Sequence, residues 1–276
     1  MESNGGIKEN NNLEIPIENN ILKVISEQRK KCLCKIKNNE GENSIGFFCV
    51  IPFINENNFL PVLISNNANF EENANNKIFI TFYNNNDNNT ITYEIIIDTK
   101  RKIYLDKKTN ISFIEIKDKD NVDPNLFLHL DAKMFNIDLE KELFNKFIYL
   151  IYHSENNYSE YTIGKIKKIN QEQKYFEFIS KNQLSSSGYP IFNLNNNMVI
   201  GIQTELLNKE NNYYKCLIFN DLIELFFNQE FDKDFDNIIN ETLFNSIINS
   251  NEKNILYIIS KFNNNDKLSL ELKEIM

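Results

Sequence analysis

The segment Ser185-Ser186-Ser187-Gly188-Tyr189-Pro190 is the part of this 276-residue chain whose residue types and spacing point to covalent chemistry. A Ser-Gly-x-Pro turn between two strands exposes the Ser187 hydroxyl and lets backbone N–H groups converge beside it, the layout of an oxyanion hole. Ser185, Ser186 and Gly188 form that loop. A serine hydroxyl is a weak nucleophile at neutral pH unless a base adjoins it. The competing reading is a plain strand-to-strand turn, which Ser-rich segments commonly form. Candidate bases are few. The chain has two His: His129 sits within Leu126–Leu130, and His153 ends the apolar stretch Tyr149–Tyr152. His153 is the better outside candidate for a relocated base. Cys32 and Cys34 alternate onto one strand face, and Cys49 and Cys216 lie in apolar strands. These read as small buried hydrophobes, and they are not clustered with His as a metal site requires. No Gly-rich phosphate loop is present. The expectation is therefore no metal and no cofactor.

The elements that must position this turn are mostly strands. Apolar stretches at 32–36 and 44–51 flank a polar loop and read as a hairpin. Further strands are expected at 59–65, 77–83, 90–97, 110–116, 147–152, 161–169, 175–180, 189–194, 198–204 and 213–219. Short strands at this spacing predict barrels or sandwiches. Residues 20–31 carry Ile21, Leu22, Val24 and Ile25 and predict a short helix. The layout is an N-terminal segment (1–30), a first β unit (31–120), a polar connection (121–145), a second β unit (146–219) and C-terminal helices (220–276). In the last region Leu222, Leu225 and Phe226 recur at helical spacing, as do Ile238, Ile239, Leu243, Phe244, Ile247 and Ile248.

With 30 Lys+Arg against 39 Asp+Glu, the net charge is −9. An acidic chain is a poor default partner for nucleic acid or anionic lipid. The hydrophobic content of 41% is enough for a sizeable core. The N-terminus lacks the basic and apolar regions of a secretory signal, and no apolar run approaches the ~20 residues of a membrane helix. The expectation is a cytoplasmic protein without membrane insertion. Asn runs at 10–12, 84–86, 195–197 and 263–265 read as solvated turns.

Four collinear segments carry a resemblance to a known family. They are Gly46-Phe47-Phe48-Cys49-Val50-Ile51-Pro52, Leu60-Pro61-Val62-Leu63-Ile64-Ser65-Asn66-Asn67-Ala68, Asn110-Ile111-Ser112-Phe113-Ile114-Glu115-Ile116-Lys117, and Ser185 to Pro190. In order and approximate spacing, across residues 32–220, they resemble a divergent intracellular branch of the trypsin-like (chymotrypsin-fold) serine peptidases. The resemblance implies a mainly β fold of two six-stranded antiparallel barrels, here with a helical C-terminal extension. It also implies that Ser187 matches the nucleophile, Ala68 stands at the position of the general-base His, and Asn110 stands at that of the orienting Asp. Ser185 replaces the first Gly of the family's oxyanion loop, which loses a permissive φ. The family's substrate-binding strand maps onto Val199–Thr204, so Gly201, Ile202 and Gln203 are the expected peptide-binding edge.

The departures outweigh the matches for chemistry, because triad members act as a unit. The leading expectation is a catalytically inactive trypsin-like homologue that binds a protein or peptide by backbone pairing. One alternative is a weak or unconventional serine hydrolase using Ser187. Another is a scaffold acting through the C-terminal helices.

Overall fold

The computed structural model describes residues 17–38, 43–53, 55–66, 76–83, 90–98, 101–131, 138–154, 158–184, 186–219 and 223. Ala68, Ser185 and the expected C-terminal helices, apart from the buried Ile223, lie outside them.

The first half forms one antiparallel sheet. Its strands are β1 (Cys34–Asn38), β2 (Asn43–Phe53), β3 (Asn55–Ser65), β4 (Asn76–Tyr83), β5 (Thr90–Ile97), β6 (Ile103–Asp106) and β7 (Ile111–Glu115). They run in the order β5-β4-β1-β2-β3-β7-β6, and β8 (Leu128–His129) adds parallel to β2. Period-2 alternation in β2, β3 and β7 sends successive side chains to two different cores. Phe48, Leu63 and Ile114 pack with Ile36, Ile80 and Ile95 in a core within the first sheet. Phe47, Cys49, Val62, Ile64 and Phe113 face the other way and pack with the second half. Burial on both faces explains why these strands read as near-continuous apolar runs. Cys32 and Cys34 are both fully buried, but in these two separate cores, so they do not share a face.

The second half is a closed antiparallel barrel in the order β10-β11-β14-β13-β12-β9. Its strands are β9 (Phe147–His153), β10 (Ser159–Asn170), β11 (Tyr175–Ser180), β12 (Pro190–Asn193), β13 (Val199–Asn208) and β14 (Tyr213–Ile218). Aromatic rings fill it: Tyr149 stacks on Phe192 at 4.7 Å and Phe178 on Tyr214 at 5.6 Å.

The six-stranded barrel expected for the second half is therefore present. The first half is an eight-stranded sheet that, among the described residues, does not close into the second barrel expected. Among the described residues no backbone pairing joins β5 to β6, the two ends of the sheet. A side chain bridges the gap instead. The guanidinium of Arg101 donates to Ile96 O on β5 at 2.9 Å and to Glu115 O at the end of β7. It also forms a two-pronged ion pair with Asp120 at 2.7 and 2.8 Å. Both side chains are buried, and Asp120 further accepts from Lys117 N at 2.8 Å.

The connection crosses from one unit to the other. After β8 lies on β2, Leu130 bridges to Val199 and Asp131 N donates to Val199 O at 2.8 Å. The buried Asp131 carboxylate accepts from Asn196 at 2.7 Å and Asn193 at 3.4 Å. The short α2 (Leu139–Leu143) follows, with Asp138 accepting from Lys141 N at its start and Leu139 and Leu143 buried. The expected N-terminal helix is α1 (Asn19–Arg29), with Ile25 inward. It lies on the barrel, not on the sheet that follows it in the chain. Tyr149 OH donates to Gln28 Oε1 at 2.6 Å, Gln28 Nε2 to Asn197 O at 3.1 Å, and Arg29 to Ser159 O at 2.9 and 2.7 Å.

Candidate functional site

Three loops converge where the sheet meets the barrel. The first is the end of β3. Asn66 N donates to Ile45 O at 3.3 Å, and Ile45 N returns a bond to Asn66 Oδ1 at 3.2 Å, which fixes the carboxamide with its NH2 group outward. The second is the turn Lys107–Asn110 between β6 and β7. Asp106 accepts from Lys108 N at 3.0 Å and from the Thr109 hydroxyl, and Asn110 closes the turn at φ 56°, a conformation that asparagine tolerates. The third is the Ser187 turn, which leads into β12.

Asn66 joins all three. Its Nδ2 donates to Ser187 O at 3.0 Å and to Ser187 Oγ at 3.2 Å, while Asn110 Nδ2 donates to Asn66 O at 2.7 Å. Gly188 makes this approach possible. Its φ is +94°, and a Cβ there would stand 2.7 Å from both Cβ and Cγ of Asn66. Together these residues line a cavity of about 60 Å³, bounded by Asn66, Thr109, Asn110, Ser187, Gln203 and Thr204 with Ile111 and Ile202. None of these side chains is ionisable. The space is far below the roughly 300–1,000 Å³ of a drug-sized ligand site and matches a single small polar group.

The structure thus brings Asn110 and Ser187 into one site through Asn66. The Ser187 hydroxyl accepts from Asn66, and among the described residues it donates to no base. His153 does not line the cavity. It is buried on β9, and that burial, with the Lys35 charge, pulls its imidazole down to about 4. His129 is exposed on β8. All four cysteines are free and buried, and burial pushes their thiols up. No group of three or more His, Cys, Asp or Glu suited to a metal occurs among the described residues.

Two loop expectations change. Gly188 N donates to Gln203 O at 2.8 Å, so it is not available to an oxyanion. Ser186 is exposed, and its hydroxyl donates to Ser187 O at 3.3 Å. The three residues expected as a peptide-binding edge are paired with neighbouring strands. Gly201 and Ile202 pair with Ile191 and Pro190 on one side and with Ile218 and Leu217 on the other. Gln203 pairs with Cys216 and donates its N–H to Tyr189 O at 2.9 Å. Both edges are therefore occupied at these three residues. From Thr204 to Asn208 the strand pairs only with β14 among the described residues, and Leu206 and Leu207 are exposed there. A bulge between Gln203 and Glu205 marks the change.

Sequence reading missed Asn66 and the side chain of Gln203. Asn66 carried a weak signal, as the residue just past the β3 run and two before Ala68.

Neither the protein-family models nor the curated proteins include a match to this chain. Solved structures do. Catalytically active tobacco etch virus protease complexed with product is similar at 13% identity and a TM-score of 0.42, over 74% of this chain and 80% of that one. Catalytically inactive tobacco etch virus protease complexed with substrate is similar at 13% identity and a TM-score of 0.44, over 74% of this chain and 86% of that one. At this distance the chemistry of the site rests on its own atoms. No helix among the described residues is long and apolar enough to cross a membrane.

Proposed function

We propose that this chain is a non-hydrolytic peptide-binding module built on a serine-peptidase-like scaffold. An extended segment pairs with the strand edge Thr204–Asn208, next to the Ser187 cavity, and is not cut. The observation carrying this reading is the state of the Ser187 hydroxyl. It receives a hydrogen bond from an amide that cannot take its proton, in a cavity whose lining among the described residues holds no ionisable group. An amide nitrogen is not a base, so the hydroxyl lacks the activation that acyl transfer needs. The identities Ala68 and Asn110, at the positions that resemble the base and its orienter, support the same reading. The edge, unpaired on its outer side among the described residues, and the exposed Leu206 and Leu207 supply the backbone groups and apolar contact that strand addition uses.

Incubation with a fluorophosphonate probe tests the chemistry. The native protein is expected to label no more than a Ser187→Ala variant, and Ser187-dependent labelling would overturn the reading. A Leu206→Asp/Leu207→Asp variant tests the docking edge. It should lose peptide binding while keeping its thermal midpoint, because both side chains are exposed.

A further inference from the structure

The outer face of the barrel carries a row of alternating charges across four strands. Lys168 on β10 lies directly opposite Glu177 on β11, Glu177 opposite Lys215 on β14, and Lys215 opposite Glu205 on β13. Lys168 Nζ donates to Glu177 Oε1 at 3.0 Å, Tyr213 OH donates to Glu177 Oε2 at 2.7 Å, and Lys215 Nζ stands 3.9 Å from Glu205 Oε2. Directly opposite side chains in an antiparallel sheet share a face and come within about 5 Å at Cβ, so opposite charges there attract and like charges repel. The row ends at Glu205, on the stretch of β13 that pairs only with β14 among the described residues. The two carboxylates differ accordingly. Glu177 has a cation in register on each side and its side chain is 12% exposed, whereas Glu205 has one and is 60% exposed. That one cation is shared, because the Lys215 ammonium also lies 4.5 Å from the centre of the Tyr175 ring.

From this we infer that Glu205 is a specificity residue: the extended segment that docks along Thr204–Asn208 places a Lys or Arg opposite it. A strand added to this edge sets one of its own side chains in line with Glu205, as the next member of the row. A cation there continues the alternation and gives Glu205 the second neighbour that Glu177 already has. An acidic side chain would face a carboxylate, and an apolar one would cover a charge without pairing it. The exposed Leu206 and Leu207 beside Glu205 give the stem of a long basic side chain apolar surface to lie on. The inference rests on the peptide-docking reading and adds the charge that the docked segment presents. Docking uses the backbone edge of β13, and selection uses the Glu205 carboxylate. The two steps can fail separately.

The test uses amidated decapeptides on a β-prone Val/Thr background, labelled with fluorescein at the N-terminus. They are identical except at one central position, which carries Lys, Gln or Glu. Polarisation is measured against the native chain and the variants Glu205→Gln and Glu205→Lys. The native chain should bind the Lys peptide about tenfold tighter than the Glu peptide, with the Gln peptide between them, because one attraction is exchanged for one repulsion. Raising the salt from about 0.05 M to about 0.5 M should compress that ratio, because the pair is exposed. Glu205→Gln should bind the Lys and Gln peptides alike, and Glu205→Lys should prefer the Glu peptide. Glu205→Gln keeps the shape of the side chain, so its result decides the matter even where the reversed charge, set beside Lys215, disturbs the fold. Equal binding of the three peptides by the native chain would overturn the inference and leave docking standing. A preference for Lys that persists in Glu205→Gln would also overturn it, and would trace the preference to the net charge of −9 instead. No binding of any peptide by the native chain would overturn both.

Discussion

Replacing Gly188 by alanine tests whether the site is held together by the contact between the Ser187 turn and Asn66. At φ +94° an L-residue is strained, by about 1–2 kcal/mol. The added methyl would also lie 2.7 Å from Asn66 Cβ and Cγ, where ordinary contact begins near 3.4 Å. Asn66 cannot yield without stretching its bonds to Ser187 O and Oγ, and loss of one such bond costs about 1 kcal/mol. The two effects together predict a destabilisation of about 2–3 kcal/mol, or a midpoint lowered by about 4–12 °C for a folded body of this size. Urea unfolding followed by far-UV circular dichroism measures it, and the slope should match the native protein while the midpoint falls. A loss below about 0.5 kcal/mol would mean that the turn relaxes freely. The coupling of Asn66 to Ser187 would then not be a constraint of the fold.

Acid should weaken the fold through His153. Its imidazole sits near 4 in the folded chain and near the ordinary 6.5 when unfolded, so the unfolded chain binds the proton first as pH falls. Stability is expected to be flat above about 6.5 and to decline down to about 4, by about 3 kcal/mol in total. A His153→Gln variant should lose that part of the decline, and identical pH profiles for the two proteins would refute the assignment. Arg101→Met should destabilise by about 3–5 kcal/mol, because it strands the buried Asp120 carboxylate and removes the link between β5 and β7. Adding Asp120→Asn should restore part of the loss in denaturant titrations, and a double variant no more stable than Arg101→Met would argue against a stranded charge.

Most strands were legible because their side chains alternate or run apolar over a strand's length. The stretches at 90–97 and 175–180 coincide with β5 and β11 to the residue. β6 was not legible. Its Ile103-Tyr104-Leu105-Asp106 core is four residues long between basic neighbours, so it resembles a charged loop until β7 pairs with it. Closure was not legible either. Alternation tells which residues face inward, but whether β5 meets β6 depends on contacts between distant segments and, here, on one guanidinium. The site was partly legible. Ser187 and Asn110 stood out by order and type, whereas Asn66 was hidden by composition, because asparagine is so frequent in this chain that it reads as loop filler.

The placement of α1 on the barrel has a consequence for the order of assembly. During synthesis this helix emerges early, while Tyr149, Ser159 and Asn197, the residues that hold it, are made more than a hundred positions later. An eleven-residue helix is marginal by itself in water. The helix therefore waits as a loosely coiled segment until β9, β10 and the turn before β13 exist. Docking of α1 is then a late event that reports completion of the whole body.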